Sequence, residues 1–290
     1  MKNLEGSWDQ AFESVIYRSL NPDLEHLSED QLRDHFQNHG QSEGRVANSI
    51  CDRSSFVNLI PTALDVLEIG PFDAPCVRGS NVEYLDLLSK EELMARARDL
   101  GRNPDTVPQI HWVTSDGRLN TVTKKYDVLL SCHNIEHQFD LVGHLNEAQN
   151  ILRDNGHYFL IVPDSRYCFD HFIAPSTIAD VLDAHYEKRT NHTLRSVIEH
   201  RVLTTHNDPV RHWAGDHSLR VIDSDEILAA INEFQNATEV LDVHAWQFTP
   251  ISFVNIVNNI YELGLTKFKV TRCYHTLRND FEFKVILSKQ

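Results

Sequence analysis

Residues Leu64–Glu68 form a mostly apolar run closed by an acid, and Ile69-Gly70-Pro71-Phe72 turns the chain directly behind it. A short run of this kind reads as a buried strand, and a glycine at its carboxyl end leaves bare backbone open to a ligand. Open α/β sheets take their ligands at the carboxyl ends of their strands. Glu68, Gly70, Pro71 and Phe72 are therefore candidate ligand contacts, although a tight turn without any ligand fits the same residues.

Beyond this turn, strand and helix alternate along the chain. Strands are expected at 64–69, 82–86, 109–113, 126–131 and 156–162, with helices at 89–100 and 141–153. Such a succession implies βαβ crossovers and a parallel sheet, hence an α/β fold. Asp86 closes the second strand, where an acid accepts hydrogen bonds from both hydroxyls of a ribose; as an alternative it is a helix N-terminal acid. Asp116-Gly117 follows the third strand, at the place for an adenine ring, and is also a common turn pair.

Composition removes several function classes. A net charge of -15 opposes a general affinity for nucleic acid or anionic membranes, which needs basic patches. No apolar run approaches the roughly 20 residues of a membrane span. The five cysteines are odd in number and lack any Cys-x-x-Cys, which suits reduced thiols and a soluble, cytoplasmic protein.

Outside this core, residues 1–50 read as a helical hairpin. Trp8, Phe12, Val15, Ile16 and Leu20 follow helical spacing, Asn21-Pro22-Asp23 stops the run, and Ser28 with Gln31 forms a capping box ahead of Leu32 and Phe36. The main domain is taken as 51–290, with 172–235 as a helical insertion or lid. In that insertion Asn207, Asp208, His212, Trp213, Asp216 and His217 form a polar stretch, read as a solvated loop anchored by Trp213 rather than a second metal site. The tail is expected to form a strand at Val240–Phe248, a helix from Thr249-Pro250 to Leu263, and strands at Lys267–Cys273 and Phe281–Leu287.

In this order, VLEIGPF (66–72), YLD (84–86), SDG (115–117), YDVLLSCHNIEH (126–137) and LNEAQNILRDNGHYFLIVPD (145–164) resemble a class I S-adenosylmethionine-dependent methyltransferase. The resemblance implies a Rossmann-like, seven-stranded, mostly parallel sheet with an antiparallel last strand. It also implies S-adenosylmethionine as cofactor, bound by Glu68, Gly70, Pro71, Phe72, Asp86, Asp116, Gly117 and Ser131. The family's glycine-rich loop is reduced here to Gly70. That departure also opposes an NAD enzyme, which needs closely spaced glycines for a pyrophosphate.

A narrower likeness, carried by EIGPF (68–72) with PDSRYCFDH (163–171), is to methyltransferase-domain proteins that accompany glycosyltransferases; separately, the stretch from Tyr17 to Arg45 resembles a module of bacterial glycosyltransferases and other surface-polysaccharide proteins, and otherwise reads as a hairpin packed over one end of the main domain. These likenesses imply a glycan, sugar-linked or nucleotide-sugar acceptor and glycosyltransferase partners. A small phenolic acceptor, or a non-catalytic scaffold, remains as an alternative.

Methyl transfer from a sulfonium is an in-line displacement, so a hydroxyl acceptor must be aligned and lose its proton. His133, His137 and Asp164, at the carboxyl ends of strands four and five, are the candidate catalytic residues, with His133 the preferred base. If a helix begins near Ser131, then His133, Glu136 and His137 share one face. A similar placement binds a divalent metal in some ubiquinone-biosynthesis and small-RNA 2′-O-methyltransferases, so these three are possible ligands, although a metal is not favoured. The competing reading ties Glu136 and His137 to neighbouring backbone, and a zinc-protease His-x-x-Glu-His is disfavoured by the strand just before it. Arg166, Tyr167, Asp170, His171 and His244 are the candidate acceptor contacts; alternatively, Arg166 and Asp170 form a helical i,i+4 ion pair.

Overall fold

The computed structural model describes residues 11–290. The first strand of the sheet, β1 (Val66–Ile69), is buried at all four positions, as a strand covered on both faces must be. Around it lie β2 (Val82–Asp86), β3 (Trp112–Val113), β4 (Tyr126–Cys132), β5 (Leu152–Pro163), β6 (Phe268–Tyr274) and β7 (Glu282–Lys289). They form one seven-stranded sheet in the order β3-β2-β1-β4-β5-β7-β6. The first five pair in parallel, and β7 runs antiparallel to both β5 and β6. The α/β, Rossmann-like sheet with an antiparallel seventh strand is therefore observed. Strand order reverses between β1 and β4, and a crevice opens at the carboxyl ends of those two strands.

Helices cover both faces. On one side α5 (Leu141–Ile151), α6 (Ile178–Tyr186) and α10 (Pro250–Glu262) bury Leu145, Val181 and Phe253 against Leu67, Leu129 and Leu160. On the other, α3 (Arg53–Val57) and α4 (Lys90–Asp99) bury Phe56 and Leu93 against Val66, Val128 and Ile161. Adjacent residues of β1 and β4 thus feed opposite cores, as the two-residue strand period requires.

The N-terminal hairpin consists of α1 (Ser14–Leu20) and α2 (Glu29–His35), with the Ser28–Gln31 capping box formed in both directions. Its small core holds Phe12, Tyr17, Leu32 and Phe36. Val15 and Leu20 point outward, 73% and 56% exposed, so the buried stripe of α1 runs through Tyr17. Trp8 lies outside the described residues. Of the helices in 172–235, α6 packs on the sheet, while α7 (Leu194–Val202), α8 (Pro209–Trp213) and α9 (Ser224–Asn236) follow it, and Val197, Val202 and Ala230 form a separate core with Val243.

Two strand expectations are corrected. Only Trp112 and Val113 of 109–113 pair, with Leu85 and Asp86, leaving a short edge strand. Val240–Phe248 forms no strand, because β7 already occupies the position beside β5. Instead this segment crosses the carboxyl edge of the sheet: Ala245 and Trp246 donate backbone N–H to Glu136 O, and Phe248 makes an isolated bridge to Asp164. Among the described residues no helix is long and apolar enough to cross a membrane.

Candidate active site

Gly70, directly after β1, has φ +69, and a Cβ there would lie 3.2 Å from Asn134 Nδ2. A side chain at this position would be strained and crowded, so glycine is required for the turn itself. Phe72 follows with φ 44 and donates its N–H to Asp86 Oδ2 at 3.3 Å, while Leu87 N–H reaches Asp86 Oδ1 at 2.7 Å. Burial raises the Asp86 carboxyl above the ordinary carboxylate range. The Phe72 ring lies beneath the Arg96 and Arg102 guanidinium groups, 5.7 Å and 5.1 Å from its centroid. Gly70, Phe72, Asp86, Gly117, His133 and His137 share the walls of one cleft of about 270 Å³.

Not every expected contact reaches this cleft. Glu68 is buried and accepts N–H groups from Cys76 at 2.7 Å and Val77 at 3.1 Å, which fastens the loop behind Pro71. Burial pushes its carboxyl up to about 7 in spite of those donors. Ser131 is buried too, with Oγ 3.0 Å from Tyr158 OH. Asp116 accepts from Thr114 Oγ1 at 2.8 Å and lines a neighbouring polar cavity with Arg118 and Gln138.

No α-helix begins at Ser131. β4 continues through Cys132, His133 takes φ 50, and a single 3-10 turn spans Ile135–His137. That reversal breaks helical register, so His133, Glu136 and His137 do not share one face. His133 turns to Glu282: its Nε2 lies 2.5 Å from Glu282 Oε1, and Arg53 holds both oxygens of the same carboxylate. Burial alone would raise the Glu282 carboxyl, but His133 and Arg53 overcome it and hold the group down at about 2.

Among the described residues four sets of ligand-type atoms converge within 4.8 Å, namely His171, His212 and His217; Cys132, His133 and Glu282; Asp170, His200 and His244; and Glu136, His137 and His244, the set that keeps two members of the expected trio. His137 donates Nδ1–H to Val243 O at 3.1 Å, and His244 Nδ1 meets Asp170 Oδ2 at 2.6 Å. Each ring therefore presents Nε2, 3.9 Å from Glu136 Oε1. Glu136 is fully buried and neither of its oxygens has a hydrogen-bond partner. Burial raises its carboxyl, and burial also pushes His137 down to about 3. For His244 burial opposes protonation, yet the Asp170 carboxylate outweighs it and the net shift is upward. Two tautomer-fixed imidazoles facing an unpartnered carboxylate are a donor set that fits a divalent cation.

In the loop after β5, Asp164 is fully buried. Its oxygens accept from Arg166 N, Nε and Nη2, and from Thr276 Oγ1 at 2.6 Å. That occupancy makes it an anchor of the loop rather than a group poised to take a proton. Arg166 thus pairs with Asp164, and the i,i+4 pair with Asp170 does not form. Tyr167 stacks on Trp213 with centroids 4.0 Å apart, so one face of the ring expected to meet an acceptor is taken by the indole. His171 donates Nδ1–H to Arg166 O at 2.7 Å and stacks on His217.

Sequence reasoning missed Glu282, Arg53, Asn134, Arg96 and Asp242. An acid between Phe281 and Phe283 at the head of an apolar strand was the one visible hint, and nothing local to it names His133 as the partner.

No protein-family model and no curated protein matches the sequence. Solved structures do. An S-adenosylmethionine-dependent methyltransferase from Mesorhizobium loti is 14% identical over 81% of this chain and 96% of its own, with a TM-score of 0.41. The CcbJ methyltransferase from Streptomyces caelestis is 10% identical over 82% and 94%, with a TM-score of 0.42. A Clostridium acetobutylicum S-adenosylmethionine-dependent methyltransferase is 8% identical over 90% and 98%, with a TM-score of 0.41. At these identities and scores the likeness assigns no role to any side chain of the cleft.

Proposed function

We propose that the chain is an S-adenosylmethionine-dependent methyltransferase acting on a hydroxyl. The observation that carries this reading is the cleft at the reversal point of the strand order, lined by Gly70, Asp86 and His133 together. In this reading Asp86 accepts the ribose hydroxyls, Gly70 lets the methionine end approach the backbone, and Gly117 borders the adenine. Asp86 and Asp242 give the cleft carboxylates suited to a cationic sulfonium, and no phosphate cradle is needed. The acceptor hydroxyl approaches from the side of the β4 and β5 ends, where His133 removes its proton as the methyl group moves.

A divalent cation held by Glu136, His137 and His244 is a second element of the reading, favoured by the orphaned Glu136 carboxylate. Such an ion would supply Lewis acidity at an acceptor oxygen. For the acceptor, the sequence likeness to glycosyltransferase-associated proteins favours a glycan or sugar-linked molecule, with a small phenol as the alternative.

The test offers tritiated S-adenosylmethionine with pooled nucleotide sugars, envelope glycans and phenols. Incorporation into one pool by the wild type, and not by Asp86→Ala, is expected. Incorporation into none of them would favour a non-catalytic scaffold.

A further inference from the structure

Glu282 is the first residue of β7, and the antiparallel register sets it opposite Pro163, the last residue of β5. An acid at the head of an antiparallel strand is thereby carried to the carboxyl edge of the parallel strands, where β4 releases His133. Glu282 is 3% exposed and receives His133 Nε2 together with Arg53 from the start of α3. The edge of Phe281 closes on the imidazole with centroids 5.5 Å apart. His133 Nδ1 has no partner among the described residues, and the ring lines the cleft. The backbone here sits at φ +50, outside the usual range for a side chain of this size, and His133 N–H is tied to Ile161 O at 3.0 Å. Strained backbone held by converging partners points to a side chain whose direction matters.

We propose that Glu282, clamped by Arg53, is a positioning residue: it holds His133 as the Nε2–H tautomer and leaves Nδ1 bare toward the cleft as the proton acceptor. This rests on the methyl-transfer reading. The acceptor O–H proton passes to His133 Nδ1 while the oxygen lone pair forms the O–CH3 bond. The S–CH3 bond pair stays on sulfur, so the sulfonium leaves as a neutral thioether. The imidazolium formed is balanced by the Glu282 carboxylate until its proton passes to water. Glu282 touches neither substrate nor cofactor; it acts through the tautomer and orientation of His133, the logic of a carboxylate–histidine pair.

The test is 15N NMR of histidine-labelled full-length protein, with His133→Asn used to assign the ring. In the wild type, Nε2 should carry the proton and Nδ1 should resonate as a bare nitrogen. In Glu282→Gln, Arg53 keeps the side-chain oxygen and the amide NH2 turns to His133, so the proton should move to Nδ1. Arg53→Met retains the carboxylate and should retain the wild-type tautomer; it also decides the matter with the wild type if Glu282→Gln does not fold. A protonated, neutral-ring Nδ1 in the wild type, or an unchanged tautomer in folded Glu282→Gln, would overturn the clamp. Calorimetry on the same wild-type sample separates the premises: no S-adenosylmethionine binding beside the expected tautomer would overturn the base role and leave the clamp standing.

Discussion

His133 and His137 stand four residues apart on one loop, yet their surroundings are opposite. His133 faces a carboxylate that is fully engaged, by its own Nε2 and by Arg53. His137 faces a carboxylate, Glu136, that nothing satisfies. Sequence spacing alone makes the two histidines look alike. Burying an unpartnered carboxylate is costly unless it is neutralised or bound to an ion, whereas a clamped one contributes to the fold. The loop therefore carries one preorganised group and one site with unused ligand capacity.

Breaking the unsatisfied side should give the largest effect. Glu136→Gln or His244→Ala is expected to lower divalent-cation affinity by more than about 100-fold, and Asp170→Asn, one step removed, by about 10-fold to 100-fold. Cobalt titration followed by absorbance reads both; equal uptake by Glu136→Gln would remove the cation from the account. Without metal, Glu136→Gln should leave the melting temperature unchanged or raise it, since it replaces an orphaned acid.

On the clamped side the effect is one of stability. Arg53→Met leaves Glu282 buried with one partner and should cost about 2 kcal/mol. Arg195→Met, which breaks an exposed pair with Glu199, should cost no more than about 0.5 kcal/mol. Equal losses by denaturant titration would show that the clamp is no stronger than a surface contact.

The smaller effects are slopes against pH, and their signs differ. Glu282 is depressed to about 2, so its contribution is present above the ordinary carboxylate value near 4.5 and is lost as pH falls toward 2. Glu68 is raised to about 7, so its contribution is complete below about 4.5 and is lost as pH rises through 7. Stability curves of Glu68→Gln should therefore flatten between pH 4.5 and 7 relative to the wild type, and an unaltered slope there would contradict a buried, protonated Glu68.

Much of the sheet is legible without coordinates because β1, β2, β4 and β5 are apolar runs with turn chemistry between them, and α5 shows helical spacing. Val240–Phe248 misleads for a physical reason: Val243, Trp246 and Phe248 are buried by crossing the sheet edge, and burial alone imitates a strand. The cleft is legible at Gly70 and Asp86, where a strand end and an acid fall in order. The partners of His133 are not, since Arg53 and Glu282 come from opposite ends of the chain and meet only through the antiparallel register of β7. Asp164 shows the reverse failure. Its position after β5 suits a catalytic carboxylate, and only the contacts of Arg166 and Thr276 reveal that its lone pairs are occupied.

Calorimetric titration of S-adenosylmethionine into the wild-type protein reads cofactor binding itself. One equivalent should bind to the wild type, with affinity lowered at least about tenfold in Asp86→Ala, the loss of a charge-assisted hydrogen-bond pair. No binding to the folded wild type would rule out a methyl donor in this cleft, and equal affinity in Asp86→Ala would rule out Asp86 as its ribose ligand.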